Sequence, residues 1–365
     1  MIIGIDGNEA NVENKVGVSI YVLELIHYFY TKTDSNTQYV IYLRDKPHHD
    51  FPLPNNHFQY HIVKGNFLWS QLFLPINLYL KKEIDIFFSP AHYAPRFCPV
   101  PTVVTIHDLS YFYYPNDFLR KDLYQLKNWT KYSVEKASKI IAVSKNTKKD
   151  LIKYYHVPEN KIEIIYNGFN SKLKVKSKKL KIELKNKKYI LYVGTIQPRK
   201  NLHTLITAFH LLLKEKPEYS LIIAGKKGWL YGKLFDHVRT LNLEDKIIFT
   251  GYISDEEKEM LYQHASFFVL PSLYEGFGIP LLEAMNYDCP VIASFTSSLP
   301  EIGGDACLYF DPNKPEELNE KMKEIIGNTT LREELVQKGK KRVQLFSWVK
   351  CGRETLDTIK KLYER

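Results

Sequence analysis

The sequence predicts an α/β protein built from two doubly wound domains, each a parallel sheet with helices on both faces. Three observations lead there. Short apolar runs alternate with amphipathic helical stretches along the whole chain, and that alternation implies parallel strands joined by helical crossovers. The alternation stops at a lysine-rich block and then begins again. Finally, the 365 residues fit two domains of about 100–200 residues each.

In the first run, strands are expected at Ile2–Asp6, Tyr39–Leu43, Phe58–Val63, Ile84–Ser89, Thr102–Ile106, Lys139–Val143 and Ile162–Ile165. Helices are expected at Ser19–Tyr30, Asp117–Ala137 and Asn146–Tyr155, the first with Ile20, Leu23, Ile26 and Tyr30 near one face. From Lys172 to Lys188 there are nine lysines and one acid, Glu183. So charged and apolar-poor a block predicts a solvated linker. The second run places strands at Tyr189–Val193, Ser220–Ala224, Lys246–Thr250, Phe267–Leu270, Val291–Ala293 and Cys307–Phe310. Its helices are Leu202–Lys214, Leu230–Leu241, Asp255–His264, Pro315–Ile326 and Leu331–Phe346. The domains are therefore 1–170 and 171–346. The final stretch, 347–365, reads as a helix that returns to complete the first domain. In such a pair the ligand is expected at the carboxyl ends of the strands, in a cleft between the domains.

Composition narrows the function. Hydrophobic residues are 44% and charged residues 25%, which excludes disordered, collagen-like and coiled-coil chains. No apolar run approaches the ~20 residues that span a bilayer, and Met1–Asp6 reads as a first strand rather than a signal peptide. Cys98, Cys289, Cys307 and Cys351 lie far apart without a CxxC, as expected of thiols in a reducing cytosol. The net charge of +10 suits a phosphorylated ligand, an anionic membrane or nucleic acid. Without a zinc finger, helix-turn-helix or RNP signature, no nucleic-acid partner is expected.

The richest stretch is Pro271-Ser-Leu-Tyr-Glu-Gly-Phe-Gly-Ile-Pro-Leu-Leu-Glu-Ala-Met285. A buried strand ends, a turn with two glycines follows, and a helix begins. Glycines admit a ligand close to the backbone, and the new helix offers free N–H groups. Glu275 and Glu283 can accept hydrogen bonds from two sets of hydroxyls on an extended ligand. Arg199 and Lys200 follow a strand in the loop before a helix, where two cations can neutralise a diphosphate. The alternative for that pair is two solvated surface charges. Gly17 opens a helix, where its N–H can meet a phosphate or an acceptor. His107 ends a parallel strand, with Asp108 placed to orient the ring or cap the next segment. His92 also follows a strand, with nothing further to support it. No Asp-x-Asp occurs, so no metal is expected and Arg199 and Lys200 are left as the phosphate counter-charge. HExxH, GxGxxG and GxxxxGK[ST] are absent too.

Glu275 and Glu283, separated by seven residues within EGFGIPLLEAM, resemble the E-x7-E signature of family 4 glycosyltransferases. Those are retaining enzymes of the GT-B fold that use nucleotide-sugar donors. Tyr192–Asn201 (YVGTIQPRKN) is similar to the family's diphosphate-binding segment, Asn167–Asn170 (NGFN) to its NG-V-D motif, and Val16–Ser19 (VGVS) to its glycine loop, with Val16 in place of a second glycine. The resemblance implies a nucleotide-sugar donor and a saccharide or lipid-linked acceptor. It implies that Glu275 meets the donor sugar, Glu283 the ribose, and Arg199 and Lys200 the diphosphate. It gives the backbone N–H groups of Phe277, Gly278 and Ile279 a supporting role and sets His107 beside the reaction centre. The Trp69-x-Gln71…Leu74-Pro75 spelling with His107–Ser110 (HDLS) resembles the branch of bacterial O-antigen mannosyltransferases, which implies GDP-mannose and surface polysaccharide synthesis. The aromatic and apolar stretch 67–82, with its basic end, reads as a core-packed helix interrupted near Pro75 or as a dock on an anionic membrane. The location that follows is cytoplasmic, peripheral on the inner face of the membrane. The rival readings are a nucleotide-sugar 2-epimerase of the same fold and a non-catalytic nucleotide-sugar binder.

Overall fold

The computed structural model describes residues 1–15, 17–33, 36–66, 68–169, 188–226, 228 and 232–364. Most of the lysine-rich block (172–187), Val16 and Asn170 lie outside the described residues. The chain forms two compact units, Met1–Gly168 with Phe346–Arg365, and Phe169–Leu345.

In unit 1 the order is β1 (Ile2–Asp6), α1 (Val18–Tyr30), β2 (Gln38–Leu43), β3 (Phe58–Ile62), α2 (Leu74–Lys81), β4 (Ile86–Ser89), β5 (Thr102–Ile106), α3 (Ser110–Tyr113), α4 (Arg120–Lys136), β6 (Lys139–Ala142), α5 (Lys145–Tyr155) and β7 (Ile162–Ile164). All neighbouring strands pair in parallel, in the order β3-β2-β1-β4-β5-β6-β7. The direction of growth therefore reverses between β1 and β4. Strands β4 and β5 are buried along their whole length, as a parallel sheet covered on both faces requires.

Unit 2 runs β8 (Lys188–Val193), α6 (Leu202–Leu213), β9 (Tyr219–Ala224), α7 (Gly232–Thr240), β10 (Ile247–Gly251), α8 (Asp255–His264), β11 (Phe267–Leu270), α9 (Ile279–Asn286), β12 (Val291–Ser294), α10 (Leu299–Gly303), β13 (Cys307–Phe310), α11 (Pro315–Gly327) and α12 (Thr329–Val343). Its sheet is also parallel, ordered β10-β9-β8-β11-β12-β13, and reverses between β8 and β11.

The last helix, α13 (Trp348–Tyr363), belongs to unit 1. Trp348, Cys351, Leu356 and Ile359 join the core formed by Ile3, Ile5, Val22, Leu25, Ile26 and Phe29. Ser347 caps it by accepting from the Lys350 N–H at 3.2 Å. Its start rests on Gly168. A Cβ at Gly168 would lie 2.3 Å from the Trp348 nitrogen and 2.4 Å from its Cα, so only glycine lets the two backbones approach this closely.

Several expectations need correction. Helix α1 buries Tyr21, Val22, Leu25, Ile26 and Phe29, while Ile20 is exposed. The helix is apolar on most sides, so its period did not single out the inward stripe. Helix α4 starts three residues late because Pro115–Asp117 forms a separate 3-10 turn. Helix α12 starts two residues early, where Asn328 accepts from the Leu331 N–H at 2.9 Å, and ends at Val343. Pro75 does not interrupt its helix. It lies in the first turn of α2, which continues directly from a π-turn at Trp69–Phe73, and proline is tolerated in a first turn.

Candidate active site

The unit 2 cluster sits where its sheet reverses. Arg199 and Lys200 lie on a 3-10 turn, Pro198–Lys200, past the end of β8. Glu275 lies past the end of β11, the neighbour of β8. Sheet order thus brings together residues 75 positions apart. The two loops are joined by the Leu273 N–H donating to the Arg199 carbonyl at 2.9 Å. Lys200 Nζ donates to Glu275 Oε1 at 2.5 Å, Ser272 Oγ donates to the same oxygen at 2.6 Å, and an Arg199 guanidinium nitrogen stands 3.8 Å from Oε2. Arg199 also donates to the Tyr274 carbonyl at 2.5 Å. Burial pushes the Glu275 carboxyl up, but Lys200, Arg199 and the Ser272 hydroxyl outweigh it, and the group titrates below the usual carboxylate range. Two cations against one carboxylate leave a net charge of +1 in a largely enclosed site. That surplus suits an anion at a topological switch point.

The Glu275–Phe277 backbone is fixed from the side. Ser298 Oγ donates to the carbonyls of Glu275 and Phe277 at 2.8 and 2.9 Å, and the Glu275 N–H donates to Ser297 Oγ at 2.9 Å. Ser294 and Thr296 hold the carbonyls of Ser272 and Leu273. These hydroxyls were not singled out beforehand. The signal was present as the run Ser294-Phe-Thr-Ser-Ser298 at the end of a strand. Gly278 precedes α9 with φ +105°, and a Cβ there would lie 2.8 Å from Leu299 Cδ2. The Ile279 N–H at the helix start has no partner within the helix.

Glu283 stands apart from that trio. Its Oε1 accepts from Lys258 Nζ at 2.7 Å and its Oε2 from the Tyr262 hydroxyl at 3.1 Å, both from α8. Burial disfavours charge on Lys258, but Glu283 and Asp255 outweigh that and hold its ammonium above the usual range. Lys258 and Tyr262 are further residues of the site that sequence reasoning missed.

In unit 1, His107 follows β5. Its Nε2 lies 2.8 Å from the Pro90 carbonyl, which can only accept, so Nε2 carries the proton and Nδ1 offers a lone pair. Burial and neighbouring His92 hold the imidazole down at about 3, against smaller opposing effects of Pro90 and Asp108. The ring is neutral, edge-on to Tyr21 at 4.8 Å. Asp108 caps the next segment, its Oδ1 accepting from the Ser110 N–H at 2.9 Å and the Ser110 hydroxyl at 2.7 Å. Gly17 begins α1 with φ +43°, and a Cβ there would meet nothing within 4 Å. Among the described residues, no group of three His, Cys, Asp or Glu could hold a metal ion.

Residues 17–173 match the family described as Glycosyltransferase Family 4, and residues 175–342 match Glycosyl transferases group 1. The O-antigen chain mannosyltransferase B of Escherichia coli is 33% identical over 291 residues, covering 76% of this chain and 74% of that protein. The chain belongs to the group 1, family 4 glycosyltransferases. A second relative is the O-antigen chain mannosyltransferase RfbU of Salmonella typhimurium, 32% identical over 61% of this glycosyltransferase and 60% of that chain. Solved structures share the fold. Sucrose-phosphate synthase of Thermosynechococcus elongatus superposes with a TM-score of 0.78 at 20% identity, covering 100% and 99% of the two chains. The lipopolysaccharide glycosyltransferase WaaG superposes at 0.71 with 16% identity, over 98% and 99%. The glycosyltransferase is thus an α/β protein of the GT-B fold, with one Rossmann-like domain in each unit.

Proposed function

We propose that the protein transfers mannose from GDP-mannose to a saccharide or lipid-linked saccharide, with retention and without a metal, in the assembly of a surface polysaccharide. The relationship to two O-antigen mannosyltransferases carries this reading, ahead of the epimerase and the non-catalytic binder. The cation pair at the unit 2 switch point supports the chemistry. Arg199 and Lys200 take the diphosphate and stabilise the charge that grows on it as the glycosidic bond breaks. Glu275 Oε1 accepts from Lys200 and Ser272, while Oε2 stands 3.8 Å from Arg199. We read Glu275 as the group that fixes Lys200 and receives a donor-sugar hydroxyl. The acceptor oxygen then attacks from the face the leaving group vacates, and its proton passes to the departing phosphate oxygen. Glu283 receives the ribose hydroxyls, and His107 offers Nδ1 to the sugar.

The test is calorimetry with GDP, UDP, ADP and dTDP and their common sugars in EDTA, followed by turnover. Selective GDP and GDP-mannose binding, with activity intact in EDTA, is the expected result. A Lys200→Met variant should lose about 10²–10³ in turnover. Selective binding of UDP, or activity restored only by Mg²⁺, would overturn the donor or the metal assignment respectively.

On the acceptor side we propose docking on an anionic lipid surface through α2. This helix buries Leu74 and Leu78 yet exposes Ile76, Tyr79 and Leu80, the last by 80%. Leu72 and Phe73 extend the apolar face, and Lys81 and Lys82 border it. Residues 64–82 contain three lysines and no acid, which favours anionic headgroups over an acceptor protein. Among the described residues, no helix is long and apolar enough to cross a membrane. The protein should sediment with phosphatidylglycerol vesicles and not with phosphatidylcholine alone, and Leu80→Glu with Ile76→Glu should release it. Unchanged sedimentation of that double variant would remove the assignment.

A further inference from the structure

His92 follows β4, the strand where the unit 1 sheet reverses direction. It holds in unit 1 the topological place that Glu275 holds in unit 2, past the strand across the reversal. In open parallel sheets that place is where ligands bind. The side chain is half-buried, its Nδ1 is enclosed and makes no hydrogen bond, and its ring lies 5.4 Å from the His107 ring. Burial favours the neutral imidazole, with Asp108 opposing more weakly.

The backbone is held in a costly shape. His92 has φ +62°, in the left-handed region that disfavours a side chain. The surrounding loop enforces it. The Pro90 carbonyl accepts from His107, the His92 N–H donates to the Thr105 carbonyl at 3.0 Å, the Tyr93 carbonyl accepts from Ser89 Oγ at 2.6 Å, and the Ala94 N–H donates to Ser133 Oγ at 2.8 Å. Among the described residues, His92 is the one non-glycine residue that has both a positive φ and an enclosed side-chain polar atom without a partner. Here strain and an unmatched polar atom coincide beside a neutral histidine with an available lone pair.

We propose that His92 binds a hydroxyl of the saccharide acceptor and helps select it. With Nδ1 enclosed, the ring meets a ligand through Nε2, which in a neutral imidazole either donates or accepts, and a hydroxyl can answer either role. The neutral ring carries no charge to match a phosphate, so the ligand is the polyhydroxylated part of the acceptor. The loop presents the ring in one orientation, so little ordering is needed on binding.

This assignment rests on the transferase reading, and the experiment separates the two. Wild type, His92→Gly and His92→Asn are compared with GDP-mannose as donor and methyl α-D-mannopyranoside as acceptor probe, alongside donor calorimetry and thermal melting. Glycine relieves the positive φ, so His92→Gly should melt at or above wild type and bind donor unchanged. It should lose about tenfold in kcat/KM for the acceptor, through KM, the scale of one hydrogen bond. Asparagine tolerates the backbone shape and carries an amide, so His92→Asn should recover part of that loss. In parallel, the probe is titrated into protein with 15N-labelled histidines, and the signal missing from His92→Asn should shift. A signal that stays fixed, or an unchanged acceptor KM in His92→Gly, overturns the assignment. Donor affinity lost in step with acceptor affinity does so too, since the residue would then serve the fold. Wild type that binds donor but leaves the His92 signal unmoved sinks only this inference, whereas wild type that binds no nucleotide sugar sinks the transferase reading.

Discussion

At His107, burial and the Pro90 carbonyl act in opposite directions on one ring, and burial prevails. The folded imidazole titrates at about 3 against 6.5 in an unfolded chain. Between those values the unfolded state binds a proton that the folded state refuses, so stability falls as pH drops below 6.5. From pH 7 to pH 5 the loss from this residue is about 2 kcal/mol. Denaturant melts at the two pH values should show a loss smaller by that amount in His107→Gln than in wild type. Equal losses would mean that the folded protein protonates this ring. That Arg199, Lys200, Glu275 and His107 stand just past strand ends was legible from the sequence, because each follows an apolar run. Their partners were not. Nothing local to Glu275 says that Lys200 reaches it, and nothing near Glu283 says that Lys258 and Tyr262 do. Those pairings follow from which strands and helices lie side by side.

Elements were easier to read than their packing. A strand such as Phe267–Leu270 was plain because four consecutive apolar residues stand between turn formers. The short helices α3 and α10 were missed. Each is under two turns, and Leu299–Gly303 combines proline and glycine, so it reads as a loop. α10 nonetheless matters, since it sets Leu299 against the turn that opens α9. Gly278→Ala combines an unfavourable backbone angle with a methyl 2.8 Å from Leu299 Cδ2, and should cost about 1–3 kcal/mol. Measured against Leu299→Ala alone, where that contact is gone, adding Gly278→Ala should cost only what the backbone angle costs. Should Gly278→Ala alone melt like wild type, the turn has another accessible shape and its φ constrains nothing.

For the whole molecule, the two-domain α/β plan was legible from alternation alone, and the order of strands within each sheet was not. Strand signals carry no record of where a sheet reverses, yet the reversals decide which loops meet. The last helix tests the integrity of unit 1. Gly168→Ala places a methyl against the Trp348 backbone, which cannot rotate away as a side chain would. It should destabilise the seating of α13 by about 1–3 kcal/mol. Cys351, 1% exposed and with its thiol pushed up to about 12 by burial, reports on that seating. Its reaction with a thiol reagent should be faster in the variant than in wild type. Equal rates would mean that the helix tolerates the added methyl.

Because residues 346–365 finish the unit that residues 1–168 begin, the order of synthesis differs from the order of assembly. A ribosome adding about 5–20 residues per second completes all of unit 2 before unit 1 receives its final helix. Until then Ile3, Val22, Leu25 and Phe29 await their cover, and the nascent chain offers that apolar surface to chaperones. A premature stop codon among codons 346–365 would therefore injure the unit that residues 1–168 begin.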